Sequence, residues 1–153
     1  MICPRCKGNI KKYENCEKCG ISYRELIQTI RHDEMKNLFL KIDKKMQNRE
    51  DITVEESLLA VELVNSSLLV PVKIEDDTLA VMNVEDENHK MFIPLFTDKE
   101  EYDRLIRDFD PSFNPFEEIV KLLEKPMIGF VINPGGIACG IGKKYIEKYF
   151  EKE

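Results

Sequence analysis

The sequence predicts an α+β protein with a small zinc ribbon at its N-terminal end, and three observations lead there. Four of the five cysteines lie within residues 1–20, in the order C-x2-C-x9-C-x2-C. After them, helix-start signals and short apolar runs follow in the order helix, three strands, two helices, strand, helix. That order lacks the regular βα repeat of a doubly wound sheet; it calls for a mainly antiparallel or mixed sheet of about four to five strands packed by helices. Charge divides the chain in the same way. Residues 1–49 carry 12 Lys+Arg and 6 Asp+Glu, whereas residues 50–153 carry 11 and 23. Such asymmetry marks parts with different surfaces. The expected parts are a zinc ribbon over 1–21, a connecting amphipathic helix over 22–48, and the main domain over 49–153.

The ribbon comes first. Cys3 and Cys6 stand in "CPRC", Cys16 and Cys19 in "CEKC". Each C-x2-C grips an ion from one tight turn, and two such turns supply the four tetrahedral sulfurs that Zn²⁺ prefers. Gly8 and Gly20 follow the turns closely, where left-handed backbone is needed. Arg5, Lys7 and Lys18 would offset the negative charge of a Zn(Cys)₄ centre, and Tyr13 is expected as the apolar plug of the spacer. Iron would accept the same four thiolates. Redox motifs belong at a helix start in a βαβ setting, which is not visible here, and disulfides are disfavoured in the cytoplasm. With four protein ligands no coordination position stays open, so the metal is expected to be structural.

The connecting segment opens with Ser22 and Glu25, a capping box. Leu26, Ile27, Ile30, Met35, Leu38, Phe39, Ile42 and Met46 then keep helical spacing, and one uninterrupted helix is expected. Further boxes at Thr53/Glu56 and Thr97/Glu100 start two more helices. Asn114, Pro115 and Glu117 supply an N-cap, a first-turn proline and an acid for another, which Pro126 stops. The strand candidates are 68–74, 78–84, 90–96 and 127–133. The first three are joined by short polar turns and are expected to form an antiparallel meander. Pro71 and Pro94 each remove a ladder donor, so their amide positions should face an edge or a bulge.

Certain function classes fall away early. No long apolar run spans a membrane and no apolar leader opens the chain, so a cytoplasmic location is expected. The two histidines, His32 and His89, have no partner at a metal or triad spacing and read as surface residues. The acidic pairs Asp76/Asp77 and Asp108/Asp110 fall in polar turns, where little would raise a pKa for acid chemistry. Cys139 lies in a glycine-rich segment near Lys143 and Lys144. It is read first as a small buried residue of a short strand "IAC", and second as a nucleophile for thiol or sulfur transfer.

Three stretches together, "LLAVELVNSSLLVPV", "MFIPLFTDKEEYDRL" and "IGFVINPGG", resemble the N-terminal domain of the SseB (enhanced serine sensitivity) family over about residues 53–150. The resemblance implies an α+β fold and a role without agreed catalytic residues. The four-cysteine ribbon is an addition to that domain.

The segment "NPGGIACGIGKK" has the look of a phosphate loop and fails the test. A Walker loop would need glycine at Ile137 and a hydroxyl at Lys144, and the dinucleotide form would need glycine at Tyr145. The leading expectation is therefore a non-enzymatic, regulatory or protein-binding module whose partner is another protein, with homodimerisation open. The alternative partner is nucleic acid. It is weakly supported: residues 1–22 hold five basic and two acidic side chains, and a Zn(Cys)₄ centre would leave a net charge of only about +1.

Overall fold

The computed structural model describes residues 3, 6–11, 14–124 and 126–150, which form an α+β fold with two sheets. In chain order the elements are α1 (Tyr23–Thr29), α2 (Asp33–Gln47), α3 (Thr53–Val64), β1 (Ser67–Glu75), β2 (Thr78–Val81), β3 (Val84–Glu85) and β4 (Met91–Leu95). There follow α4 (Lys99–Leu105), β5 (Asp110–Pro115), α5 (Phe116–Ile119) with a 3-10 turn, β6 (Met127–Ile132), β7 (Cys139–Gly142) and α6 (Lys143–Tyr149). One sheet has the order β2-β1-β5 and the other β3-β4-β6-β7. All pairs are antiparallel except β4 with β6. No described helix is long and apolar enough to cross a membrane.

The expected single sheet is thus two, and the expected meander is divided between them: its second strand breaks into β2, which pairs with β1, and β3, which pairs with β4. β1 pairs with β2, but β4 leaves for β6, and the free edge of β1 is taken by β5. The segment of β5, "DPSFNP", had the composition of a turn and helix cap. Asn114 caps nothing: its side-chain amide donates to Ser112 Oγ at 2.9 Å. Phe113 and Phe116 explain the choice. Both are fully buried, in different apolar clusters, and an extended backbone delivers them to opposite sides.

Prolines fit this ladder through its parity. Pro71 faces Pro111 and Ser67 faces Pro115, at the positions whose amides point away from the partner strand. Leu69, of the same parity, turns its amide and carbonyl to Phe96 at 2.9 and 3.0 Å, and that one bridge ties the two sheets together. Pro71 stands in the gap between this bridge and the start of β2 pairing at Val72. Pro94 also has no described strand opposite it on the side away from β6. Gly129 reflects a close approach instead: a methyl there would run into the Ile141 carbonyl of β7.

The β1–β2 hairpin turns on Asp76 and Asp77, with φ of 48° and 61° and Glu75 opposite Thr78. This is the primed two-residue turn that prefers glycine at its second position. Asp77→Gly is expected to stabilise the fold by about 0.5–1 kcal/mol, by removing the left-handed penalty of a side chain. A urea titration in which the midpoint fails to rise would count against that assignment.

The expected continuous connecting helix is broken at Ile30–His32, because its two halves serve different cores. Leu26, Ile27 and Ile30 pack with the cysteine module and with Leu69, Phe96, Tyr102, Ile106 and Phe113. Met35, Leu38, Phe39 and Ile42 pack in the main core with Leu68, Val70, Ile93, Phe130 and Ile141. One straight helix would carry both stripes to the same side. Ser22 caps α1 as expected, accepting from the Glu25 amide at 3.1 Å. The other two boxes shift by one residue or more. Asp98 takes the cap of α4, accepting from the Glu101 amide at 2.9 Å, and Asp51 accepts from the Thr53 amide ahead of α3. The helix expected after Asn114 is a single α turn followed by the 3-10 turn.

Candidate metal centre

The two C-x2-C turns fold as copies of one another. The Cys3 amide donates to the Gly8 carbonyl and the Cys16 amide to the Ile21 carbonyl, each five residues on, at 2.7 and 2.8 Å. The Lys7 amide returns to the Cys3 carbonyl and the Gly20 amide to the Cys16 carbonyl, both at 2.8 Å. Lys7 and Gly20 therefore occupy equivalent corners, with φ of 65° and 76°. This corrects the expectation for Gly8. The left-handed residue of the first turn is Lys7, and Gly8 instead gives room to the Lys18 side chain and Cys6 Sγ.

Both turns aim their sulfurs at one point. Cys3 Sγ lies 3.8 Å from Cys19 Sγ, and Cys6 Sγ 3.6 Å from Cys16 Sγ. All four sulfurs fall within 4.8 Å of one another, the one such metal-binding group among the described residues. A tetrahedron with metal–sulfur bonds of about 2.3 Å has edges of about 3.8 Å, so the spacing suits a single thiolate-bound ion. Cys3 and Cys16 are buried, and Cys6 and Cys19 are half-buried. Without a cation Cys16 and Cys19 do not ionise together. The Cys19 amide, foremost, holds Cys16 down to about 6 against the cost of burial. Cys19 is pushed up to about 11: the Ile21 amide pulls it down, but burial and the three neighbouring sulfurs outweigh it. A bound cation would relieve that conflict, which is the chemical sense of a closed four-sulfur set.

The module is seated rather than appended. Cys3, Ile10, Cys16 and Ile21 share one apolar cluster with α1 and with Leu69, Phe96 and Phe113 of the sheets. Tyr23 joins them at the edge of β5, where its hydroxyl accepts from the Phe113 amide at 2.7 Å. An otherwise open strand edge is covered in this way. Ile10 is buried in the module; Tyr13, the expected plug of the spacer, lies with Arg5 and Lys12 outside the described residues.

The remaining candidates disperse. His89 is exposed beside Glu85, and Asp76, Asp77, Asp108 and Asp110 are all exposed. His32 departs from the surface position expected of it. It is half-buried, and its Nε2 donates to the Ser67 carbonyl at 2.8 Å. Burial holds its pKa below the usual 6.5, against the pull of that carbonyl and of Asp98. As pH falls below 6.5 the unfolded chain takes up a proton that the folded ring refuses, so stability declines. His32→Gln is expected to flatten that decline, by up to about 1.4 kcal/mol per pH unit. Identical stability–pH slopes in the two proteins between pH 7 and 5 would refute it.

Cys139 is buried in β7 opposite Ile132, inside the main core. Burial pushes its thiol up to about 12, so it is protonated at neutral pH.

A polar cluster that the sequence reading did not assemble lies past the carboxyl ends of β4 and β6. Thr97 is fully buried. Its amide donates to Asn133 Oδ1 at 3.1 Å, and Asn133 Nδ2 returns to Thr97 Oγ1 at 2.9 Å. Thr97 Oγ1 in turn donates to Asp98 Oδ2 at 2.9 Å, which also receives Lys36 Nζ at 3.2 Å. The available signal is the polar residues of "FTDKEE" and "NPGG", 36 positions apart at Thr97 and Asn133, which along the sequence look like separate helix-start and turn chemistry.

No protein-family model, curated protein or solved structure matches the chain.

Proposed function

We propose that the chain is a non-enzymatic module of an SseB-like α+β domain and a structural zinc ribbon, built to dock on another protein. The observation that carries the docking reading is α3. Leu59, Ala60 and Leu63 fill the core, yet Val54, Leu58, Val61 and Val64 on its opposite side are each at least 49% exposed. A helix with a second apolar stripe turned to water, here between Glu55, Glu56 and Glu62, presents a face that belongs under a cover. Residues 50–153 carry a formal net charge of −12, so the partner suited to this face is an apolar protein surface with a basic rim. The order α3, β1, β4, α4, β6 and the turn at 133–136 is consistent with the SseB resemblance. Zinc suits the sulfur set better than a harder cation would, because thiolates select soft or borderline ions.

The test compares wild type with Leu58→Glu and Val61→Glu in affinity capture and light scattering. A partner recovered by wild type and lost with both variants is expected. Capture insensitive to both would sink the docking face, and concentration-dependent dimers abolished by the same changes would replace the partner with a second copy. Metal analysis returning one zinc per chain is expected, and iron would overturn that assignment. Nucleic-acid binding that weakens steeply with salt would favour the basic ribbon as the working surface instead.

A further inference from the structure

The polar cluster beyond β4 and β6 borders a cavity of about 240 Å³, walled by Lys36, Phe39 and Leu40 of α2, by Glu101 and Arg104 of α4, and by the 133–137 turn. Its floor includes a carboxylate whose two oxygens are treated differently. Glu101 is 4% exposed. Its Oε1 takes Lys36 Nζ at 3.4 Å and Arg104 Nη1 at 3.5 Å, while its buried Oε2 receives no hydrogen bond. Leaving a buried carboxylate oxygen without a donor is costly. Asp98 is not in the same position: one oxygen accepts from the Glu101 amide and the other from Thr97 and Lys36.

The turn above the carboxylate is shaped around it. A methyl on Gly136 would lie 2.7 Å from Oε2 and 3.2 Å from Oε1, so glycine is the residue that leaves the carboxylate uncrowded. Asn133 starts this turn in left-handed backbone, φ 55°, held there by its two bonds to Thr97. The sequence of this turn suggested a phosphate, and the site is built against one: an anion here would meet Glu101 and Asp98. A divalent metal is equally ill-served, because a single carboxylate oxygen is free and hard cations want six or more oxygens. The missing partner is a charged hydrogen-bond donor, and the other walls, Phe39, Leu40 and Ile137, suit an apolar chain behind it.

We propose that this cavity binds a small organic ammonium compound, with its cationic head on Glu101 Oε2 and its short apolar body against Leu40 and Ile137. Lys36 pairs with Asp98 and Arg104 with Glu100, so two cations face three carboxylates and one negative charge, that of Glu101, is left for the head. Because Oε2 is shut off from bulk water, an incoming ammonium must part Gly136 from the carboxylate.

The test is a titration of the full chain with n-butylammonium chloride, followed by amide NMR, with sodium butyrate and 1-butanol as controls. Saturable shifts centred on Asn133, Gly135 and Gly136 are expected with the ammonium alone. Glu101→Gln is expected to weaken the response roughly ten- to a hundredfold, the worth of a charged hydrogen bond. Ile137→Lys, at an exposed position on the rim, tests the same site without touching the core and is expected to weaken it too. A linear response with ammonium, an equal response with butyrate or butanol, or unchanged affinity in Ile137→Lys would overturn the proposal.

Discussion

Removing the proposed zinc from the four-cysteine centre is expected to unfold the two C-x2-C turns and to lower the thermal midpoint of the entire chain. Among its described residues only Cys3, Cys16, Ile10 and Ile21 are buried, a small interior for a unit of this length. Structural zinc contributes about 10–16 kcal/mol in isolated fingers, more than a module of this size can supply by burial alone. The wider effect follows from seating. The ribbon and α1 cover Leu69, Phe96 and Phe113, and each apolar side chain returned to water costs about 1.5–3 kcal/mol. Against a total of about 5–15 kcal/mol for an ordinary domain, the main core would be left marginal. Thermal melts with and without a chelator read this directly. Cys16→Ser should reproduce the chelated melt, and added zinc should restore only the wild type. Superimposable melts would remove the metal from the account.

Phe96→Ala should be the most damaging single substitution in the sheets, at about 3–5 kcal/mol. Three roles meet in this residue. Its side chain is fully buried and meets Tyr102 edge to face, with ring centroids 5.2 Å apart. Its backbone makes the bridge to Leu69 that joins the two sheets. It also stands under the cysteine module, so the hole left by alanine would be shared by three elements that cannot close on it together. Phe96→Leu keeps most of the volume and is expected to cost well under half as much. Urea unfolding of both variants separates volume from position. A Phe96→Ala loss below about 1 kcal/mol would mean that the cluster repacks freely.

What could be read from the sequence was what depends on neighbours along the chain. The C-x2-C pairs, the Ser22 cap, the β1–β2 hairpin and the α+β class all express contacts over a few residues. The failures share another cause. Residues 110–115 have a turn composition and become a strand because β1 offers an unpaired edge and Phe113 and Phe116 need opposite sides. Periodicity at 22–48 reports that residues are apolar but not which core each will join, so the break at Ile30–His32 left no pattern. The same limit hid the Thr97–Asn133 pair, which exists only because β4 and β6 run parallel and end side by side. For the candidate metal centre the grouping of the four cysteines was legible, whereas the depth at which they are seated was not.

β1 gives Leu68 and Val70 to one apolar cluster and Leu69 to the other, so a single strand is a party wall between two interiors. An opening on either side leaves its amides guarded from the opposite side. In the language of hydrogen exchange, the centre of β1 should therefore report only the global unfolding event, while amides in α1 and in β7 follow separate partial openings. The two interiors are two cooperative units with one shared member. The zinc proposed for the cysteine centre would then set whether they open in sequence or as one.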